Sequence, residues 1–182
     1  MADNSKSEKE MSNERINAAI RLACSRNFGV LDSNFLCQTL SVLKPAAPST
    51  IPPDTSIEKV LSLFSSANIG SVLVVDRDGK LIGIFTERDF IRRVADKYPG
   101  IKSEPIEKYM TRDPICQPPD ITVAFALNLM SDGGFRHIPL VDQDNVPVGI
   151  VSVRDVVDFI VRTFVDDLLS FDPDKIVEIP GS

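Results

Sequence analysis

Two stretches of the chain carry a glycine, a hydroxyl and a carboxylate at one spacing: Gly83, Thr86 and Asp89, and again Gly149, Ser152 and Asp155. In each, a β-type apolar run ends at the hydroxyl and a helical pattern follows, which puts the hydroxyl at an N-cap and the carboxylate three residues into the helix. A glycine permits close backbone approach, and a helix N-terminus favours a phosphate. An aspartate acceptor suits the paired hydroxyls of a ribose. The spacing therefore offers ribose and phosphate contacts together. It is also the pattern of two purely structural caps, with Asp89 and Asp155 favouring the helix macrodipole. Duplication does not separate these readings, because caps duplicate too.

The elements that position these residues are themselves repeated. Residues 52–89 lie over residues 118–155 with no gap and a constant offset of 66, so that Asp54 matches Asp120 and Thr86 matches Ser152. In the first copy Ile57, Val60, Leu61, Phe64 and Ala67 share a helical face behind a Ser56 cap, which predicts a helix of about 12 residues. Ser71 to Asp76 and Leu81 to Thr86 read as strands joined by the turn Arg77-Asp78-Gly79-Lys80. Phe90, Ile91, Val94 and Ala95 then return to helical spacing, and Thr50-Ile51 supplies a short extended lead-in. The second copy repeats the order. Val123, Leu127 and Met130 mark its first helix, Ile138 to Val141 and Val148 to Val151 its strands, and Val156, Val157, Ile160, Val161 and Phe164 its last helix. Each copy has one small sheet with an apolar face, so packing the copies together buries both. The expected fold class is α/β (α+β), two tandem units related by a pseudo-twofold axis, behind an N-terminal helical extension.

The flanks are read more coarsely. Residues 1–11 look disordered, 13–26 have helical spacing, and Phe35, Leu36, Leu40 and Leu43 suggest a short helix ended by Pro45. These helices either extend the core or contact a partner. A short helix is expected over Ile106 to Met110, and the tail after Phe171 reads as loose. The resulting division is 1–42 for the start and extension, 43–100 and 101–168 for the two units, and 169–182 for the tail.

Composition excludes several functions. With 20 basic against 26 acidic residues the net charge is −6, which does not supply the basic surface of a nucleic-acid binder. Cys24, Cys37 and Cys116 have no paired spacing, which argues against a disulfide framework or zinc knuckle and for a reducing compartment. No apolar run approaches the roughly 20 residues of a membrane span, and the polar N-terminus is not a secretory signal. A cytoplasmic location is expected. The Asp-bearing turns lack the spacing of a calcium loop, and no nucleophile, acid/base pair or metal set has a recognisable pattern, so no enzyme activity and no cofactor are expected.

The junctions GIFTERD (83–89) and GIVSVRD (149–155), preceded by PPDTSI and PPDITV and with RHIPLVD between them, resemble tandem cystathionine-β-synthase (CBS) domains over residues 43–165. The resemblance implies two β-α-β-β-α units with two clefts for AMP, ADP, ATP or another adenosine derivative such as S-adenosylmethionine or NAD. It implies a regulatory module, sensing cellular energy through its nucleotide, that pairs as a homodimer and acts on a separate effector protein. A ligand-free interaction module is the alternative.

By the same resemblance, each cleft takes its ribose-binding aspartate from one copy and much of its phosphate contact from the other. The first cleft would combine Thr86 and Asp89 with Arg136, His137 and Arg154, with Ile51 lining the adenine pocket. The second would combine Ser152 and Asp155 with Ile115, Cys116 and Arg88. There, Gly70 and Ser71 stand where the first has Arg136 and His137, so the first cleft is expected to be the better anion site. Cys116 reads as a small apolar filler, and Arg92 and Arg93 as solvated.

Overall fold

The protein is described here by a computed structural model that covers Phe35 and residues 37–169, with side chains to residue 163. The expectations for residues 1–11, for the helix over 13–26, for Leu36, for the Phe164 side chain and for the tail lie outside the described residues. Two compact units are present. One comprises Cys37–Val156. The other includes Phe35 and the chain from Val157, and within it the rings of Phe35 and Phe159 stack at 5.2 Å.

The first helix and the hairpin of both repeats fold as their sequence periods predict. Strand β1 (Thr50–Ile51) runs parallel to β2 (Ser71–Val75), and helix α1 (Ile57–Ala67) connects them. The Ser56 hydroxyl caps α1 by accepting from Lys59 N–H at 3.4 Å, and Asn68, at φ 51°, ends it. Strand β3 (Leu81–Thr86) pairs antiparallel with β2, with Gly79 at φ 81° in the turn. Glycine adopts that conformation without the Cβ penalty of other residues.

The second copy has helix α3 (Val123–Gly133), capped by Thr122, and the antiparallel pair β5 (His137–Val141) and β6 (Pro147–Ser152). The two hairpins share further details. Asp76 accepts from the N–H groups of Asp78 and Lys80, and Asp142 from those of Asp144 and Val146. Each ladder slips register at the matching place, between Val74 and Val75 and between Leu140 and Val141.

Side chains alternate across β2 and β3 as strand geometry requires. Val72, Val74 and Phe85 face α1 in a cluster with Ile57, Val60, Val94 and Ile106. Leu73, Leu81 and Ile84 face the other way and pack with Val141, Cys116 and Ile150 of the second copy. Backbone bonds join the hairpins too: Leu81 N–H donates to Asn145 O at 2.9 Å, and Asn145 Nδ2 donates to Leu81 O at 3.0 Å. Burial on both faces explains why β2 reads as an unbroken apolar run.

The structure departs from the sequence reading in three places. The helix after Thr86 is only Glu87–Asp89 (α2) and then widens into a π turn, Phe90–Val94, closed by Ala95 N–H on Phe90 O. Val94 is buried there, but Ile91 is 71% exposed, because the wider turn rotates the side chains off a 3.6-residue period. In the second copy the matching helix, α4 (Val153–Leu169), is long. Val156 is buried while Val157 and Val161 are exposed, so its apolar stripe is only partly covered.

The third departure is a strand that periodicity could not reveal. After the 3₁₀ turn Ile106–Lys108, residues Thr111–Arg112 form β4, antiparallel to β3. Gly83 faces Arg112 in this pairing, and a Cβ there would overlap Met110 Sδ. The close approach that Gly83 permits is thus the seating of Met110. Gly83→Val is expected to cost about 1–3 kcal/mol through overpacking, read from the urea midpoint. A loss under about 0.5 kcal/mol would show that Met110 moves aside freely.

Turn Leu40–Leu43 buries Leu40 and Leu43, and Lys44, at φ 51°, ends it. Leu40 N–H donates to Ile121 O and Val123 N–H to Gln38 O, so this segment extends the second copy's core.

Candidate functional site

Each repeated hydroxyl and carboxylate forms a reciprocal cap. Asp89 Oδ2 accepts from Thr86 N–H at 3.0 Å and Thr86 Oγ1 at 2.7 Å, while Asp89 N–H returns to Thr86 Oγ1 at 3.3 Å. Asp155 Oδ2 accepts from Ser152 N–H at 2.6 Å and Oγ at 2.7 Å, and Asp155 N–H returns to Ser152 Oγ at 3.3 Å. The structural reading of these residues is therefore correct as far as it goes. It uses one carboxylate oxygen of each. Asp89 Oδ1 meets Thr111 Oγ1 at 3.5 Å and Arg93 at 3.5 Å, whereas Asp155 Oδ1 has no hydrogen bond among the described residues.

The helix ends offer a phosphate less than the spacing suggested. Glu87 N–H donates to Gly70 O and Val153 N–H to Arg136 O, and the Asp89 and Asp155 N–H groups are taken by the caps. The cationic side chains around two cavities are the stronger attraction for an anion.

The first cavity, about 340 Å³, is lined by Thr86 and Asp89 with Arg88, Arg92, Arg93 and Arg136, together with His137, Thr111 and Asp113. Ile84, Pro114, Ile115 and Phe135 supply apolar walls. The second, about 430 Å³, is lined by Ser152 and Asp155 with Ser71, Gly70, Glu87, Arg154, Arg136 and His137, and by Ala46, Ala47, Ser49, Phe64 and Ile150. Both volumes lie in the range of small-molecule sites.

The grouping expected from the sequence is partly exchanged. Ile115 and Arg88 border the first cavity with Asp89, and Arg154 borders the second with Asp155. Pairing of β4 with β3 sets Thr111 opposite Ile84, and Asp113 N–H donates to Ile82 O, which holds residues 111–113 against the first copy's sheet, while the bridge Ala46–Ile150 sets Ala46 against β6. The start of each lead-in, at Ala46 and at Thr111–Arg112, thus meets the hairpin of the other copy, whereas its end, at Thr50–Ile51 and at Gln117, pairs with the hairpin of its own. Ile51 is 6% exposed in the core beside Val74 and lines neither cavity. Cys116 lines neither, being packed against the hairpin cluster with Sγ 3.9 Å from Asn145 Oδ1.

Arg92 and Arg93, read as solvated, both border the first cavity. Arg93 donates to Tyr109 O at 2.9 Å and Thr111 Oγ1 at 3.2 Å, strapping β4 to the π turn. Their signal in the sequence was spacing: Arg92 follows Arg88 by four, and Arg93 follows Asp89 by four. Arg88 is held by donation to Gly134 O at 2.6 Å. The first cavity has four arginines against two aspartates, and the second has two arginines against Glu87 and Asp155.

His137, the chain's only histidine, lies on the wall both cavities share. Burial, reinforced by the Arg136 charge, lowers its pKa below the usual 6.5 against the opposing pull of Asp155, Glu87 and Asp89. It is neutral at pH 7. Because the unfolded chain binds this proton more readily, stability is unaffected above about pH 7 and falls as pH drops through 6.5 toward the lowered folded value. His137→Gln is expected to flatten the urea-midpoint profile between pH 7 and 5. An unchanged slope there would place the dependence on the carboxylates instead.

Among the described residues no group of three His, Cys, Asp or Glu side chains could hold a metal ion, and no helix is long and apolar enough to cross a membrane.

The sequence matches the CBS domain family over residues 44–96 and 106–162. An uncharacterized 17.7 kDa protein of Acidianus ambivalens is 36% identical over 106 residues, which are 58% of this chain and 63% of that protein. The chain thus spans less than two thirds of that relative's length. The crystal structure of the CBS-domain containing protein ATU1752 from Agrobacterium tumefaciens superposes with TM-score 0.59 at 30% identity, covering 65% of this chain and 95% of that one. The CBS domain pair of protein MJ0100, solved with 5′-methylthioadenosine and S-adenosyl-L-methionine, superposes with TM-score 0.60 at 28% identity, covering 66% of this chain and 98% of that one.

Proposed function

The chain belongs to the CBS-domain family, and from that premise we propose that it is a regulatory module that binds AMP, ADP or ATP and transmits the binding to a separate partner protein. The observation that best supports this is the first cavity, where Asp89 sits among four arginines and an apolar wall. In this reading Asp89 Oδ1 exchanges Thr111 and Arg93 for ribose hydroxyls. Ile115 and Pro114 cover the base, and Arg136 and Arg88 meet the phosphate, to which Arg presents a planar fork of donors. His137, neutral, adds one N–H donor. The adenosine ligands of the MJ0100 pair support the same ligand class.

The role is binding rather than catalysis, in a cytoplasmic protein that pairs with a second copy of itself. A ligand that biases output must bind two states of the module unequally. The displacement of Arg93 from Asp89 is the change through which the first cavity would do so, since Arg93 also holds β4.

Melting temperature is measured with AMP, ADP, ATP, NAD and S-adenosylmethionine. A ligand of the native state raises it once its concentration exceeds the dissociation constant. The expected result is a rise with at least one phosphorylated adenosine, reduced more by Asp89→Ala than by Asp155→Ala. No rise with any of them favours a ligand-free interaction module, and turnover of a nucleotide abolished by Asp89→Ala would make the protein an enzyme.

A further inference from the structure

The two cavities are related by the repeat, but the repeat inverts one charge. Gly70 matches Arg136 and Glu87 matches Val153 at the offset of 66. The match is geometric as well as sequential: Glu87 N–H donates to Gly70 O at 3.1 Å, and Val153 N–H donates to Arg136 O at 3.1 Å. In the copy that contains Arg136, a guanidinium leaves the backbone at this point and the next helix begins with an apolar residue. In the copy that contains Gly70, no side chain leaves it, and the helix begins with a carboxylate that covers the vacant position. A Cβ built on Gly70 would lie 3.3 Å from Glu87 Oε2. Glu87 borders the second cavity and not the first.

We propose that the second cavity selects a ligand that is neutral or positively charged at the end where the first accepts a phosphate, with Glu87 as the residue that sets this preference. The inference rests on the reading of both cavities as adenosine sites, and it assigns them different ligand classes. A dianionic phosphate beside Glu87 meets a like charge at short range, whereas an ammonium meets an opposite one. Arg136 and Arg154 also border this cavity, but Glu87 and Asp155 balance them. In the first cavity the arginines outnumber the acids.

The test uses the full chain, titrated calorimetrically with adenosine, AMP and 5′-amino-5′-deoxyadenosine, which carries an ammonium in place of the phosphate. The second site is the one lost in Asp155→Ala, or in Asp155→Asn should the alanine chain not fold. At that site the ammonium nucleoside is expected to bind about fivefold or more tighter than AMP, with the preference shrinking as salt screens Glu87. Glu87→Gln should shift the ratio toward AMP by about fivefold and leave the Asp89-dependent site as it was. AMP preferred at the Asp155-dependent site, a ratio unmoved by Glu87→Gln, or binding confined to the Asp89-dependent site each overturns this inference while leaving the adenosine reading intact. If none of the three probes binds anywhere, this inference falls, and the adenosine reading falls with it when ADP, ATP, NAD and S-adenosylmethionine leave the melting temperature unchanged as well.

Discussion

Arg136→Ala weakens AMP binding to the first cavity by about 10- to 45-fold and leaves adenosine binding within about twofold. A hydrogen bond to a charged group contributes about 1.5–3 kcal/mol, and the lower half of that range applies because Arg136 is exposed, where water screens the pair. The side chain starts just before β5, on the wall the two cavities share. Its carbonyl accepts from Val153 whatever the side chain is, so truncation leaves the backbone framework in place. Calorimetric titration of both ligands against both proteins measures the difference. Equal losses for AMP and adenosine would mean that Arg136 shapes the cavity without meeting a phosphate.

Phe85→Ala has the largest expected effect on stability, about 3–5 kcal/mol. Phe85 is fully buried, lies 6.1 Å from the ring of Phe64, and packs in the cluster that joins α1 to the first sheet. For a protein whose whole stability is about 5–15 kcal/mol, such a loss is a large fraction of the total. Phe85 also immediately precedes Thr86, so the first cap depends on a strand that this ring anchors. Urea unfolding should show a much lower midpoint with an unchanged slope. A loss below about 1 kcal/mol would mean that neighbouring side chains collapse into the space and that the cluster is less closely packed than its burial implies.

The parts of the fold set by local chemistry could be read from the residues. The offset of 66 marked the duplication, the switch from helical to alternating period marked the elements, and Thr86 and Ser152 marked both caps, because each signal lies within a few residues of its effect. Features created by chain crossing could not be read in that way. Strand β4 is two residues long, too short to show a period, yet its pairing with β3 decides that Ile115 joins Asp89 rather than Asp155. The resemblance puts Ile51 at the adenine pocket of the first cavity, but its parallel pairing with Val74 turns it into the core.

Arg93 shows the same limit in one side chain. It is exposed, as expected of a surface residue, but it also has partners: Asp89, four residues away, and Tyr109 and Thr111, which the crossing brings in. Glu87 was passed over because its significance lies in the empty position at Gly70, and that emerges only when the two cavities are compared.

The central claim is that a phosphorylated adenosine occupies the first cavity through Asp89 and Arg136, and a crystal structure of the full chain grown with AMP tests it most directly. The predicted result has the ribose hydroxyls on Asp89 Oδ1, Arg93 withdrawn from that oxygen, and the phosphate on the guanidinium groups of Arg136 and Arg88. AMP bound elsewhere, or the first cavity empty at saturating AMP with Arg93 still on Asp89, would contradict it.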